Sequence, residues 1–278
     1  MKNLSLALLA AALLAACSTA SEKTAAPLAA NHAEAHDAAL TAALASPARS
    51  AQNRARDVYR HPQQTLQFFG ISPTQTVIEI SPAGGWYSEI LAPYLRAGRY
   101  VGALPKVRAE SPYQRLHSEL QAKMTQDPAH FGQPHWHSYD PRNPVLGEAG
   151  SADAVLTFRN VHNWVAAGSA DAYFKAFFEV LKPGGVLGVV DHRAKPGTDL
   201  EAMKKSGYLT EALVIEYATR AGFRLDARSE VNANPADSTD HANGVWTLLP
   251  VARHEAADAE KYRAIGESDR MTLRFVKP

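Results

Sequence analysis

Residues 77–94 decide the fold of this chain and read VIEISPAGGWYSEILAPY. The segment 76–80 is apolar and rich in β-branched side chains, which indicates a strand buried on both faces. Small residues follow at 81–85, and a helical spacing of apolar residues then runs from Trp86 to Leu95. A strand, a turn of small residues and a helix are typical of the opening unit of a nucleotide-binding α/β domain, although a tight turn without a ligand has the same pattern.

The turn after this strand contains the first candidate ligand-binding residues. Ser81, Ala83, Gly84 and Gly85 have small or no side chains, so a ligand can approach the backbone there, and the helix N-terminus offers unpaired N–H groups. Glu79 stands at the end of the strand, where a carboxylate could either bind ligand hydroxyls or steady the loop.

Composition places the chain among ordinary globular proteins. Its 278 residues suffice for one large domain or two small ones, with 46% hydrophobic and 21% charged residues. The formal net charge is +1, and no run of lysine and arginine is present. Nothing in this balance indicates a nucleic-acid partner.

The N-terminus predicts export and a lipid anchor. Lys2 precedes an apolar run, residues 4–16, that is too short to span a bilayer, and Cys17 is the single cysteine of the chain. The sequence LAAC at 14–17 resembles a bacterial lipobox, which predicts lipidation of Cys17 and a location on the periplasmic face, with Ser18 favouring the outer membrane. A chance cysteine after an ordinary signal peptide or in a buried helix is the alternative.

The remaining pattern predicts one α/β domain behind this leader. We expect a signal peptide at 1–17, an Ala-rich tether at 18–46 and the folded domain at 47–278. Strand-like segments alternate with helix-like segments, which favours right-handed crossovers. The prediction is a single doubly wound, mostly parallel sheet of seven strands, of which the last pair is antiparallel.

Polar side chains follow the predicted fourth and fifth strands. Asn160 and His162 come after the fourth strand, and Asp191 and His192 end the fifth. Ligands of open α/β sheets bind beyond the carboxyl ends of the strands, so these four are candidate catalytic residues. A histidine titrates near neutral pH and can act as a base, and Asp191 and His192 are expected to pair as base and orienter. The alternative for each is a loop residue that satisfies backbone groups.

Two further sets of side chains are interpreted as structural or solvated. His135 and His137 share one face of the third predicted strand, but no third ligand follows at a useful spacing, so no metal site is predicted. Arg54, Arg56 and Arg60 precede the first strand and could reach a carboxylate, although exposed helix faces usually have the same composition.

Three motifs resemble those of the class I S-adenosylmethionine-dependent methyltransferases. EISPAGG at 79–85, DAVLTFRNVHNW at 153–164 and LKPGGVLGVVDHR at 181–193 match the family's first, fourth and fifth strand motifs. The segments GWYSEILAPYL, TFRNVHNW and GESDRMTLRFVKP further resemble a bacterial group of predicted methyltransferases. The resemblance covers residues 47–278.

The resemblance implies S-adenosylmethionine as cofactor and a small molecule as methyl acceptor. It places the cofactor against Glu79, Ser81, Ala83, Gly84, Gly85, Asp140 and Asn160. Among these, Asp140 matches the position that often contacts the adenine amino group.

The chain departs from the family pattern at two points. Ser81 and Ala83 stand where the family usually has glycine, and the second strand ends in LPK at 104–106 without the acid that holds the ribose hydroxyls. A non-catalytic ligand-binding or scaffold lipoprotein with this fold is therefore the alternative function. An NADP-linked oxidoreductase, with Lys106 or Arg108 on the 2′-phosphate, is a third. The sequence identifies neither the acceptor nor an oligomeric state.

Overall fold

The computed structural model describes residues 25–278, with side chains from residue 35 onward. The chain divides into two units, the first ending at Ala38 and the second spanning Ala39–Pro278. In the first unit the described residues, 25–38, are helical. The predicted signal peptide and Cys17 lie outside the described residues. None of the described helices is both long and apolar enough to cross a membrane.

The second unit is built on one seven-stranded sheet. Its strands are β1 (Thr76–Ile80), β2 (Arg99–Pro105), β3 (His135–Tyr139), β4 (Ala152–Phe158), β5 (Leu181–His192), β6 (Arg224–Ser229) and β7 (Arg270–Val276). The strand order is β3-β2-β1-β4-β5-β7-β6. Neighbours from β3 to β5 are parallel, and β7 is antiparallel to both β5 and β6. The predicted doubly wound sheet is therefore confirmed.

Helices connect the strands. They are α1 (Ala25–Leu44), α2 (Ala51–Arg54), α3 (Asp57–Arg60), α4 (Pro62–Phe69), α5 (Ser88–Tyr94), α6 (Pro112–Gln126), α7 (Pro128–Phe131), α8 (Val161–Ala166), α9 (Ala170–Val180), α10 (Leu200–Ser206), α11 (Glu211–Arg220) and α12 (Ala259–Ile265). Two 3₁₀ turns, Gly244–Thr247 and Ala256–Asp258, lie in the long connection between β6 and β7.

Both faces of the sheet are buried, as the apolar run at 76–80 predicts. Val77 packs in one apolar cluster with Leu66 and Phe69 of α4, whereas Ile78 packs in the other with Phe177 of α9. Successive strand residues point to opposite faces, so a strand covered on both sides needs an unbroken apolar sequence.

The compact unit begins earlier than the predicted boundary at residue 47. Leu40 and Ala43 near the end of α1 are buried in the same cluster as Val77. The alanine-rich composition of 18–46 conceals these contacts, because a helix needs only a few apolar residues on one side to pack against a core.

The fifth strand begins at Leu181, before the apolar run at 186–190 that predicts it. Leu181 pairs with Ala152, and the backbone of Gly184 and Gly185 exchanges hydrogen bonds with Lys277. The segment LKPGG thus follows the end of helix α9 directly and is already part of strand β5.

Candidate active site

A cavity of about 640 Å³ lies along the carboxyl ends of β1, β2, β4 and β5. That size suits a small-molecule ligand. The predicted site residues that line it are Glu79, Ser81, Ala83, Gly84, Asn160, His162 and His192. Other lining residues come from the N-terminal helices (Asn53, Arg56, Arg60), from β2 and α6 (Pro105, Val107, Tyr113, His117) and from the β6–β7 connection (Val245, Trp246, Leu249, Pro250, Val251).

The loop after β1 adopts left-handed backbone conformations. The φ angles are +51° at Ser81, +50° at Ala83 and +78° at Gly85. For residues with a Cβ this region costs about 1–2 kcal/mol each. The two non-glycine residues therefore retain the conformations that glycine favours, at an energetic cost, and Ala83 and Gly84 both face the cavity.

Gly85 serves the packing of this loop and does not line the cavity. A Cβ at this position would lie 2.2 Å from Cδ1 of Leu120 in α6, and the positive φ already disfavours any side chain. Glycine at 85 thus lets helix α6 approach the turn. Gly85 is therefore a packing residue of the loop, in place of the predicted cofactor contact.

Glu79 joins three elements behind the loop. Its Oε2 accepts hydrogen bonds from Oγ of Ser88, at 2.6 Å, and from the hydroxyl of Tyr100, at 2.8 Å. Burial raises the pKa of Glu79 to about 7, and the two hydrogen bonds oppose this rise. The two predicted roles of Glu79 were binding of ligand hydroxyls and support of the loop. The observed hydrogen bonds correspond to support of the loop.

Asp140 follows β3 at the rim of the cavity and does not line it. Its Oδ1 accepts from the backbone N–H of Arg142 at 2.9 Å and from Nε of the same residue at 3.3 Å. The neighbouring Pro141 faces the cavity instead. The carboxylate is therefore engaged in a local turn, as short acidic side chains after strands often are.

His162 and Asp191 form a buried pair at the centre of the site. Nδ1 of His162 lies 2.9 Å from Oδ1 of Asp191. The carboxylate also accepts from the backbone N–H groups of Val161, at 2.7 Å, His162, at 3.3 Å, and His192, at 2.8 Å. A carboxylate can only accept, so Nδ1 carries the proton, and Nε2 is left as the basic nitrogen of a residue that lines the cavity.

The predicted pairing of Asp191 with His192 is corrected by these contacts. Asp191 meets His192 through the backbone N–H, because both of its oxygens face the first turn of α8. Nδ1 of His192 lies 2.6 Å from Oγ of Ser268, and Nε2 accepts from Nε of Arg159 at 3.4 Å. Burial, with the charges of His162 and the nearby arginines, lowers the pKa of His192 well below its usual value. Both ring nitrogens are engaged, so His192 acts as a neutral positioning group.

Asn160 ties the ends of two strands together. Its Nδ2 donates to the backbone carbonyl of Ile80, at 3.0 Å, and to Oγ1 of Thr157, at 3.3 Å. These bonds hold the end of β4 beside the end of β1, from which the loop of left-handed residues starts. Asn160 also lines the cavity, and its hydrogen bonds connect the β1 side of the candidate site to the β4 side.

His162, Asp191 and His192 together offer metal-ligand atoms within 4.8 Å of one another. The geometry favours proton transfer over metal binding. The two oxygens of Asp191 already accept from four N–H donors, and the guanidinium of Arg159 donates to Nε2 of His192. A cation bound there would face another positive charge.

A group of four arginines surrounds one carboxylate beside the histidines; we call Arg56, Arg60, Arg159 and Arg270 the arginine cluster. Oε1 of Glu267 lies 2.7 Å from Nε of Arg56, and Oε2 lies 2.9 Å from both Nε of Arg60 and Nη1 of Arg270. Burial alone would raise the pKa of Glu267, but the four arginines lower it to about 2. Three members of the cluster, Arg56, Arg60 and Arg159, line the cavity.

Sequence reasoning missed several of these residues. Arg159 belongs to the TFRNVHNW motif, and its position directly after β4 was the available signal. Trp246 lies in the short apolar run within the polar connection between β6 and β7, and this run was the available signal. The partnership of Arg60 with Glu267 spans most of the chain, and no local pattern could have predicted it.

No protein-family model matches the chain, and no curated protein matches its sequence. Solved structures do match its fold. One is a SAM-dependent methyltransferase from Aquifex aeolicus, with a TM-score of 0.54, 14% sequence identity and coverage of 81% of this chain and 93% of that one. Another is the [4+2]-cyclase SpnF, with a TM-score of 0.55, 15% identity and coverage of 84% and 86%. A candidate sarcosine dimethylglycine methyltransferase from Galdieria sulphuraria gives a TM-score of 0.53, 10% identity and coverage of 82% and 88%.

These structural matches establish the fold of the chain. The chain has the Rossmann-like fold of the SAM-dependent methyltransferases, as its motifs predict. At such low identity the likeness extends to the fold alone, and the cyclase illustrates that one fold can serve different reactions.

Proposed function

We propose that this protein is an S-adenosylmethionine-dependent methyltransferase that acts on a small molecule with an ionisable O–H or N–H group. The observation that carries the proposal is the position of the His162–Asp191 pair. His162 lines the same cavity as the loop after β1, where the motif resemblance places the cofactor, and Asp191 holds its Nδ1 from behind.

The cavity fits the cofactor in most respects. Ala83 and Gly84 present backbone with little side chain. Pro105 at the end of β2 and Val107 just beyond it supply an apolar surface for a purine ring. No acid follows β2 for the ribose hydroxyls, so polar groups of other elements, such as His117 in α6, would have to meet them.

The chain's own residues supply positioning and proton transfer. S-adenosylmethionine, when bound, supplies an electrophilic methyl group. Nε2 of His162 takes the proton of the acceptor, while Asp191 fixes the tautomer and orientation of the imidazole. Asn160 keeps the ends of β1 and β4 in register. Val245 and Trp246 line the cavity with apolar surface, which disfavours water beside the reacting groups.

Calorimetric titration with S-adenosylhomocysteine tests the cofactor site. Gly84 is exposed and lines the cavity, and a Cβ there meets nothing closer than 3.9 Å. Gly84→Val should therefore fold normally but place its branches in the path of the ligand. Ala167→Val, at an exposed position outside the cavity, is the matched control. Binding by the wild type and the control, with at least a tenfold loss in Gly84→Val, supports the proposal. Absence of binding to the wild type at millimolar ligand favours the scaffold alternative.

The lipobox supports a second proposal, concerning location. Cys17 would be lipidated and hold the domain at the periplasmic face of the outer membrane, with no other membrane contact. Radiolabelled palmitate should enter the wild type and not Cys17→Ala. Equal labelling of the two proteins would refute the anchor.

A further inference from the structure

The part of the cavity beside His162 carries a surplus of positive charge. The arginine cluster contributes four guanidinium groups, and the carboxylates that interact with it are Glu267 and Asp191. Asp191 is also committed to His162 and three backbone N–H groups. Burying cations without matching anions is costly, so the protein retains this surplus for a reason other than stability.

Several donors of the cluster have no protein acceptor. Nη2 of Arg56 and Nη2 of Arg60 are buried without a hydrogen-bond partner among the described residues, and Arg60 is only 6% exposed. The guanidinium of Arg159 forms no ion pair within 4 Å of any described carboxylate, and its Nε donates to Nε2 of His192 at 3.4 Å. All three side chains line the cavity. Buried donors of native proteins almost always have partners, so these point to an acceptor on a ligand.

The fold holds these arginines rigidly. The guanidinium of Arg60 lies over the ring of Trp86, 4.8 Å from its centroid, and Arg56 and Arg60 are fixed by Glu267 from the far side. Arg159 has a left-handed backbone, with a φ of +62°, which directs a residue at the end of β4 into the site. Positions held this firmly suit the recognition of an oxyanion by paired N–H donors.

We infer that the methyl acceptor is an anion whose carboxylate or phosphate group binds to Arg56, Arg60 and Arg159 beside His162. This inference rests on the proposed function and narrows its substrate class. The anionic group would be fixed by the arginines while the protic group to be methylated faces Nε2 of His162. Tyr87 and Phe158 also line the cavity, and their rings are stacked on each other with centroids 3.5 Å apart, so they add an apolar aromatic wall to it.

Matched small probes test the charge requirement. Benzoate, phenyl phosphate and benzyl alcohol share a ring and differ in charge, and calorimetry on the full chain measures each with and without S-adenosylhomocysteine. At least one anion should bind tenfold or more tightly than the alcohol. Arg159→Gln and Arg56→Gln should each weaken that anion about ten- to a hundredfold, since each removes a charged hydrogen bond. Arg159→Lys should retain part of the affinity, and the surface variant Arg220→Gln all of it.

The controls separate three outcomes. Equal binding of anions and alcohol overturns the inference. The inference is also overturned if Arg159→Gln weakens the binding of S-adenosylhomocysteine but not that of 5′-methylthioadenosine, which lacks the amino-acid carboxylate. In that case the arginines bind the cofactor and not the methyl acceptor. If the wild type binds benzoate or phenyl phosphate in the expected way but never binds S-adenosylhomocysteine, the anion site stands and the proposed function fails.

Discussion

Nδ1 of His162 donates a 2.9 Å hydrogen bond to Oδ1 of Asp191, and this bond joins the helix that follows β4 to the carboxyl end of the adjacent strand β5. Asp191 also accepts from two N–H groups in the first turn of α8, so one carboxylate fixes both the helix and the imidazole. A base held in one tautomer by a buried carboxylate is the arrangement on which proton transfer in many hydrolases depends.

Asp191→Asn should weaken both the fold and the site. The carboxylate accepts four hydrogen bonds, whereas an amide has one oxygen and an NH₂ group that cannot accept. We expect the free energy of unfolding to fall by roughly 1–3 kcal/mol, measured by urea denaturation. His162→Gln, which leaves the backbone donors paired, should cost less. Equal stability of Asp191→Asn and wild type would show that the carboxylate does not organise α8.

Glu267→Gln should be strongly destabilising at neutral pH. It removes the buried charge that pairs three arginines, and breaking such a cluster costs about 3–5 kcal/mol. Because the folded pKa of about 2 lies below the usual 4.5, the stabilisation by ionised Glu267 is present above pH 4.5 and is lost as the pH falls toward 2. The stability difference between the two proteins should shrink over that window. A difference that stays constant with pH would contradict the ion cluster.

Glu79→Gln should show the opposite dependence on pH. Burial raises the folded pKa of Glu79 from 4.5 to about 7, so its contribution is fully present below pH 4.5 and is lost as the pH rises through 7. Glutamine keeps an oxygen for Ser88 and Tyr100 without the buried charge. The unfolding free energy of the variant relative to wild type should therefore increase between pH 5 and 8, by on the order of 3 kcal/mol at most. A difference that stays constant between pH 5 and 8 would mean that the carboxyl of Glu79 is already ionised in the folded protein at pH 5.

Ala83→Gly should stabilise the loop after β1. Ala83 has a φ of +50°, and glycine removes the cost of that conformation, with a net gain of up to about 1 kcal/mol after the entropy of the unfolded chain is included. Ala167→Gly, at an exposed right-handed position, should instead lose about 0.5–1 kcal/mol. Thermal unfolding of the two variants should move in opposite directions. Destabilisation of both would argue against a strained Ala83.

The sequence predicted the sheet because its signals are local. An apolar run such as 76–80 and the switch to helical spacing after it depend only on neighbouring residues, and strand β1 has the predicted bounds, Thr76–Ile80. The helix after the turn starts at Ser88 and not at Trp86, because residues 81–87 are needed for the left-handed loop.

The site was predicted only in part because its contacts are long-range. The sequence identified His162 and Asp191 as residues after strands, yet paired Asp191 with its chain neighbour His192. The true partner lies 29 residues away and is brought close by the parallel pairing of β4 and β5. The arginine cluster depends on contacts 207 residues apart, between Arg60 and Glu267. Proximity of this kind follows from the folded topology and has no signature in a local pattern.

Transfer of a labelled methyl group tests the central claim most directly. The wild type is incubated with a small-molecule extract of bacterial cells and S-adenosylmethionine that is tritiated in the methyl group. We expect it to transfer tritium to compounds in the anionic small-molecule fraction. His162→Gln should lower the rate by about a hundred- to ten-thousandfold, while its affinity for S-adenosylhomocysteine stays within about twofold of wild type. A wild type that binds S-adenosylhomocysteine but transfers no label, or a His162→Gln variant that transfers it at the wild-type rate, would contradict the account.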